Sequence, residues 1–507
     1  MALIILTHLI FFEGVSMPAD IFAEFERQCA VLLRNAGIPD EYIFLTRPTH
    51  KKFGDLSANA AFELGKAQKQ NPRAFAQEVT GKMDLETADL VEKIEVAGPG
   101  YINFFLNNAL FRVRVLAAIK EAGDSYGDLA PGATDKIVIE HTSVNPNKPW
   151  HIGHARNAIL GDTLGRFFRQ AGYPVEIQNY IDDTGKQVGD TIFALDYFNA
   201  EYGEDAGKYD HFVGEQYVQL NQVIEELPEG SEKLAAIKSG IESVMHALEE
   251  GRHRDFVERC LKAQLQTAYR LDIFYNILVW ESDIVRAKLF QEAMDKIQVA
   301  DSVYWAEDGY AKGCLVIDMS EFFGAQDEEE ADEDDEEHQT EKILIRSNGL
   351  ATYTGKDIAF QMWKFGLLAR NMKIADFEAQ PNGETVETTT PDGRESVRQP
   401  AGAVINVIGY EQDYPQTVVK TALKVVGYEK QFENSHHLSY GHVWLPEGRM
   451  SGRKGIGIAT DDVIAETVRE AYNVVKEKRG DELGEDALRK IAEAVGMGAV
   501  RFAMLQK

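Results

Sequence analysis

Cysteine is scarce: Cys29, Cys260 and Cys314 are the only three in 507 residues, far apart and with no C-x-x-C pair. That argues against a disulfide framework or a cysteine zinc site and for a reducing compartment, the cytoplasm. Positive charge is also short, with 53 Lys and Arg against 82 Asp and Glu and a formal net charge of −29. A basic coat for nucleic acid is not expected, although a local basic stripe is compatible with an acidic body. No apolar run approaches the roughly 20 residues of a membrane helix. The opening MALIILTHLIFFEGVS is short, is broken by Thr7 and His8, and lacks a basic n-region and a small-residue cleavage site. It reads as residues upstream of a start at Met17, with a signal peptide as the alternative. There are no internal repeats.

What remains is a globular composition, 44% hydrophobic, 27% charged and 10% aromatic, long enough for about three domains at roughly 150 residues each. From Ile21 to Gly123, helical patterns alternate with the strand-like runs EYIFLT and YINFFL, a small α+β unit with a Gly98-Pro99-Gly100 turn. A Gly/Pro cluster at Ser125–Thr134 marks a hinge. Lys136–Glu140 (KIVIE) is a β-branched strand followed by a polar loop and a helix, the first step of a doubly wound α/β fold, and Tyr173–Tyr180 is a second strand. Residues 191–271 are charged and helical and read as an insertion. Asp327–Glu337 carries ten acidic residues in eleven, and its place between the strand-like CLVIDM and KILIRS suggests a solvated hairpin loop, with an acidic interaction tail as the alternative. AVINVI at 403–408 is a buried-strand candidate, and helices follow the Gly-rich basic loop after Gly441.

Two motifs carry chemistry. His151-Ile152-Gly153-His154 follows the strand and opens a helix. Side chains at i and i+3 share a helix face, so the two imidazoles add donors to the free N–H groups and positive dipole end of that terminus, a setting for a polyphosphate. Gly153 lets a flat base approach the backbone. Structural histidines or a metal pair are the other readings, and no carboxylate spacing accompanies the pair to favour metal. Arg449-Met450-Ser451-Gly452-Arg453-Lys454-Gly455 sets two or three cations between glycines in an acidic chain, suited to charge building on a triphosphate; a solvated turn is the bland alternative.

Together the H-I-G-H and M-S-x-R-K segments resemble the paired signature of class I aminoacyl-tRNA synthetases. Glu140–Pro149 (EHTSVNPNKP), Asn179–Gln187 (NYIDDTGKQ), Tyr353–Ile358 (YTGKDI), GDLSANAA and VAGPGYINF narrow the resemblance to arginyl-tRNA synthetase over residues 17–507. The resemblance implies a Rossmann-type α/β catalytic domain at 133–440, a tRNA-contacting α+β domain at 17–125 and a helical stub at 441–507. It implies ATP, Mg2+, L-arginine and tRNA(Arg), with no membrane. His151, His154, Arg453 and Lys454 would be catalytic, and Gly153, Met450, Ser451 and Lys454 would join the histidines on ATP. Glu140 and Asp357 would hold the guanidinium, which wants carboxylates in fixed geometry; Asn145 would orient the backbone end, Tyr353 would line the pocket, and Gln412 is a further polar candidate. Transfer to the 2′-hydroxyl of the terminal adenosine, and activation that needs bound tRNA, are expected from the same resemblance.

Arg449 departs from the family's usual first lysine, and Arg453-Lys454 shifts the later cations. VGMGAVRFAMLQK, which ends 52 residues past Gly455, resembles the junction before the family's anticodon-binding bundle. A fragment, a bundle on a separate polypeptide, or charging without anticodon reading are the expectations, and an unpaired junction would expose apolar surface. The rivals are a non-catalytic paralogue acting as sensor or scaffold, disfavoured by intact motifs, and a synthetase for another amino acid. Cysteinyl enzymes would need a zinc cluster that is missing here, and glutamate would be repelled by Glu140 and Asp357.

Overall fold

The computed structural model describes residues 20–128, 135–203, 205–320, 341–443 and 457–506. These fall into two compact units, the first holding residues 20–128 and the second nearly all of the chain from residue 135 onward.

The first unit is a four-stranded antiparallel sheet in the order β1 (Leu45–Thr46), β2 (Leu56–Ala58), β4 (Tyr101–Leu106), β3 (Val91–Ala97). It packs with α1 (Ile21–Asn35), α2 (Ala60–Ala67) and α3 (Pro72–Gly81), and α4 (Asn108–Ala122) follows the sheet. Asp20 caps α1 by accepting from Phe22 and Ala23 N–H, and Asn71 caps α3 with Pro72 at its first position. The periodic apolar face Phe25, Cys29, Leu32 and Leu33 buries against Leu56 and Phe104. Gly100, at φ +137°, turns the β3–β4 hairpin where a Cβ would sit 2.9 Å from the Pro72 carbonyl, so only glycine fits. EYIFLT is a strand only at Leu45–Thr46; Asp40–Tyr42 forms a 3-10 turn, which uses the Pro39 break.

The second unit is built on eight strands in the order β13 (Arg394–Glu395), β11 (Lys373–Ala379), β12 (Thr385–Thr389), β7 (Ile277–Trp280), β6 (Val175–Ile181), β5 (Lys136–Glu140), β14 (Ala401–Gly409), β15 (Ser435–Tyr440). The six from β12 to β15 are parallel, and the β11–β12 hairpin and β13 turn one edge antiparallel. The central strands are apolar on both faces, as a sheet covered on both sides requires. Chain order runs outward from β5 through β6 to β7, then returns to place β14 on the other side of β5, a topological switch point at which α/β sheets bind ligands.

Helix α5 (Ile152–Gln170) crosses from β5 to β6. The helical stretch read as an insertion is α6 (Lys186–Phe198), α7 (Tyr209–Glu226), α8 (Glu232–Glu249) and α9 (Arg254–Arg270). After β7 come α10 (Glu281–Arg286) and α11 (Leu289–Ile297), then a separate antiparallel sheet of β8 (Val303–Trp305), β9 (Leu315–Asp318) and β10 (Glu341–Ile345). Asp318 pairs with Glu341 in an antiparallel register, and the acidic run 327–337 falls between these strands in the chain, outside the described residues. Helix α12 (Tyr353–Lys364) packs on α11 and precedes β11; α13 (Asp413–Val425) and α14 (Glu429–Glu433) separate β14 from β15. Finally α15 (Thr460–Arg479) and α16 (Glu485–Leu505) pair, and Ile464, Met497 and Val500 join the core. Arg501 anchors the pair by donating to the Leu271 carbonyl and bridging to Asp162. Val474, Val495 and Phe502 are exposed on these helices. No helix among the described residues is long and apolar enough to cross a membrane.

Candidate active site

The site grows out of the turn after β5. Glu140 ends the strand, and Thr142 and Ser143 take φ of +77° and +45°. A β-branched residue at positive φ is strained, and it persists because its surroundings over-determine it. Thr142 N–H donates to Asn157 Oδ1 at 2.6 Å, its hydroxyl pairs with Tyr275 at 2.8 Å, and Ser143 N–H donates to Asn179 Oδ1 at 3.0 Å. Asn157 in turn donates to the Val407 carbonyl and the Tyr440 hydroxyl, tying α5 to β14 and β15. The buried His141 ring packs on Gly161, where a Cβ would come within 2.4 Å of it.

His151 and His154 begin α5 with their rings stacked, centroids 3.5 Å apart and 16° from parallel. Each Nδ1 accepts the backbone N–H of the other residue at 3.2 Å. With Nδ1 an acceptor, each neutral ring carries its proton on Nε2. Burial and then Lys148 lower His151 to about 4, and burial, then His151, then Lys148 hold His154 well below 6.5. Both are therefore neutral Nε2–H donors at physiological pH. Lys148 donates to Gln187 and supplies the adjacent fixed charge. The chain that leaves the basic loop is stitched here: His151 bridges Ala459, Ile152 N–H donates to the Ile458 carbonyl at 3.1 Å, and Thr460 N–H to the Trp150 carbonyl at 2.8 Å. Arg449, Met450, Ser451, Arg453 and Lys454 lie outside the described residues.

At the carboxyl ends of β5, β6 and β14, and lined by Asn145 from the loop that leads to the histidines, is a cavity of about 420 Å³. It gathers Glu140, Asn145, Tyr353, Asp357 and Gln412, all five residues that the sequence nominated for arginine, and adds Asp182, Glu281, Lys364 and Asn406. Four carboxylates thus face one another. Glu281 is saturated: Tyr180 donates at 2.9 Å, and Thr184 and Lys356 take its other oxygen. Glu140 is held by Lys364, with Ser143 Oγ at 3.4 Å from its other oxygen. Among the described residues no donor reaches Asp357, and Asp182 Oδ1 is buried without a partner. Burial, then Glu140 and Glu281, raise Asp357 to about 7; burial and then Glu281 raise Asp182 to about 8. A cavity that resists ionising its own acids is poised for a cation.

Asp182, Lys148 and Lys356 sit inside the motif segments, where the sequence pattern alone assigns them no role. Glu281 and Asn406 carry no local signal; they reach the cavity because β7 ends there and because Asn406 lies in register with Glu140. No group of three His, Cys, Asp or Glu side chains among the described residues is placed to hold a metal ion, and all three cysteines are free and buried.

Comparison with known proteins agrees with this architecture. The family model described as the arginyl tRNA synthetase N-terminal domain matches residues 23–106, and that for the class I (R) tRNA synthetase catalytic domain matches 117–380 and 393–507. An arginine–tRNA ligase of Thermococcus sibiricus is 40% identical over 481 residues, 92% of this chain and 72% of that protein. One of Deinococcus radiodurans is 38% identical over 490 residues, 96% of this chain and 75% of that protein. The solved arginyl-tRNA synthetase of Thermus thermophilus superposes with a TM-score of 0.70 at 35% identity, over 96% of this chain and 76% of its own. With both family models matched in order around a carboxylate-lined switch-point cavity, the chain belongs to the arginine–tRNA ligases, a family of class I aminoacyl-tRNA synthetases.

Proposed function

We propose that this chain activates L-arginine with ATP, giving arginyl adenylate and pyrophosphate, and transfers the arginyl group to the 3′ end of tRNA(Arg). The observation that carries the reading is that one loop after β5 contributes Asn145 to a four-carboxylate cavity and leads into two neutral imidazoles at a helix N-terminus. Arginine enters with its guanidinium toward Asp357 and Glu140, lies along Tyr353, and is oriented at its backbone end by Asn145 and Gln412. Its carboxylate attacks the α-phosphorus in line; the new C–O–P link forms as the bond to pyrophosphate breaks. No protein nucleophile is needed, so catalysis is alignment and charge stabilisation. His151 and His154 donate Nε2–H to phosphate oxygens, the Gly153 backbone faces the nucleotide, and Lys148 adds a fixed positive charge. Met450, Ser451, Arg453 and Lys454 complete the nucleotide site. Mg2+ travels with the ATP phosphates as part of that substrate, the usual mode for an ion that keeps its waters. In the second half-reaction the 2′-hydroxyl of the terminal adenosine attacks the adenylate carbonyl and AMP leaves. The N-terminal unit contacts tRNA, and the reaction runs in the cytoplasm.

Arginine-dependent ATP–pyrophosphate exchange on the 507-residue chain, with and without tRNA(Arg), tests the reading. Exchange with arginine and not with other amino acids is expected, and tRNA is expected to be required. Silence in both conditions, with arginine bound all the same, would favour the sensor or scaffold role.

A further inference from the structure

Lys364, the last residue of α12, is the one cation among the described residues that line the cavity, and the arginine reading gives it no part. Its side chain is 1% exposed and its ammonium has three acceptors: Glu140 Oε2, Asn406 Oδ1 at 3.0 Å and Gln361 Oε1 at 3.3 Å. The Phe360 ring closes a further side at 4.1 Å. An ammonium has three donors and no acceptor, so every donor is used. The acceptors are fixed independently of the lysine. Glu140 and Asn406 are register partners on adjacent parallel strands, and Gln361 lies one turn earlier on the same helix. The Asn406 amide donates its Nδ2–H to Gln416 at 2.9 Å, and Gln361 donates Nε2–H to Ser435 at 2.6 Å. Both amides therefore present carbonyl oxygens to the same point. That corner of the cavity is an ammonium receptor, and the protein's own lysine occupies it.

We propose that Lys364 determines specificity by acting as a resident ammonium: it fills the corner shaped for an ammonium and leaves the unpartnered Asp357 carboxylate for a planar guanidinium. The inference rests on the arginine reading of the cavity. The problem it addresses is lysine, which carries the same charge on a smaller side chain. Walls that admit arginine cannot exclude a smaller cation by size, so rejection has to come from contacts lysine cannot make or a site it cannot enter. Left open, three converging acceptors with a carboxylate among them would capture the ε-ammonium of lysine. Filled, the corner offers nothing to a tetrahedral cation, while the forked donors of a guanidinium still reach Asp357 across the cavity.

The test is the inhibition constant of lysine, set against the KM for arginine, in arginine-dependent pyrophosphate exchange by the full chain with tRNA(Arg) present. Lys364→Met removes the ammonium at similar length, and Lys364→Ala also leaves space. Both are expected to improve lysine relative to arginine by roughly 10- to 100-fold, the worth of one hydrogen bond to a charged group. Ethylammonium added to Lys364→Ala is expected to restore the wild-type ratio, which a merely structural role for the side chain would not predict. An unchanged ratio in variants that still turn over arginine overturns the proposal. The wild-type chain gives a second measurement that does not depend on variants folding. Lysine is expected to outcompete norleucine, its uncharged near-isostere, by less than about tenfold; a larger advantage means that the cavity with its corner filled still holds an ammonium well, and overturns the proposal. Absence of arginine-dependent exchange in the wild-type chain would count against the arginine reading itself, a separate result.

Discussion

Asp357→Asn should make the empty protein more stable and the enzyme worse, and the size of both effects comes from the cavity. Asp357 faces three other carboxylates with no donor of its own, and its folded pKa stands at about 7 against the ordinary 3.8. A raised carboxyl pKa means that the folded state holds its proton longer than the unfolded state does. Below the ordinary pKa both states are protonated and nothing is lost. Between about pH 4 and pH 7 the unfolded chain ionises first, so stability falls as pH rises, and above about pH 7 the whole cost, on the order of 4 kcal/mol, is present. Asparagine removes that cost. The stability gained by the variant should therefore grow by about 1 kcal/mol between about pH 6 and about pH 8, read as a widening gap between the two melting curves. Arginine binding should move the opposite way. Losing a charge-assisted contact to the guanidinium costs about 1.5–3 kcal/mol, a rise of roughly 10- to 150-fold in the dissociation constant. In the wild type, arginine affinity should climb with pH until Asp357 is ionised and then level off, with a flatter profile in the variant. Calorimetric titration of arginine across this pH range, alongside melting curves without ligand, checks each part. A variant that melts below the wild type at alkaline pH and binds arginine equally well would refute the reasoning.

Because His151 and His154 are neutral well below pH 6.5, the exchange rate should show no loss from histidine protonation between about pH 8 and about pH 6. His151→Ala should lower kcat by roughly 10²–10³-fold with little change in the KM for arginine, as expected for a donor used mainly in the transition state; an effect confined to KM would place the ring elsewhere. Asn157→Ala removes the acceptor that holds the strained Thr142 backbone together with two donors to β14 and β15. It should cost about 1–3 kcal/mol in a denaturant titration and reduce arginine affinity, since Asn145 lies on the same loop. Chelation with EDTA should abolish exchange without shifting the melting temperature of the ligand-free chain, because Mg2+ is an ion carried by ATP in the proposed reaction; a lower melting temperature would reveal a structural metal.

Much of the candidate site is legible in the sequence because its residues cluster locally. Glu140, Asn145, His151 and His154 lie within one strand, loop and helix start, and Tyr353 and Asp357 share one helical turn. Each segment has its own physical signal, a β-branched run, a helix opening or an i, i+4 spacing. The helical insertion showed through its periodicity, and the acidic run through its position between two strands. The misses have a different cause. ILVW at 277–280 and the β11–β12 hairpin carry little signal: the first is a four-residue apolar run that periodicity cannot assign, and the second has polar residues on one face. Glu281 begins a helix after the first of these, so missing the strand meant missing the carboxylate. Asn406 sits inside AVINVI, which was read as a strand, yet only the register of β14 against β5 sets it beside Glu140.

That register matters more than the membership of any motif. A lone glutamate at the end of a strand in an acidic protein has many roles open to it. In register with Asn406, one helix away from Lys364 and across the cavity from Asp357, Glu140 cannot be an idle surface charge: it is buried, and its partner is a lysine that has left water to meet it. Burying such a pair is costly and is often neutral or worse for stability, and the carboxylates opposite add repulsion. The arrangement therefore makes little sense as reinforcement of the fold. It makes sense as a receptor whose remaining negative charge is answered only when a cation binds. Two lysines, Lys356 on Glu281 and Lys364 on Glu140, each answer one carboxylate, and Asp182 and Asp357 have no lysine or arginine partner among the described residues. Arginine brings two positive groups, its guanidinium and its α-ammonium, and one negative group, the carboxylate that attacks ATP, so the unanswered carboxylates match its positive groups in number.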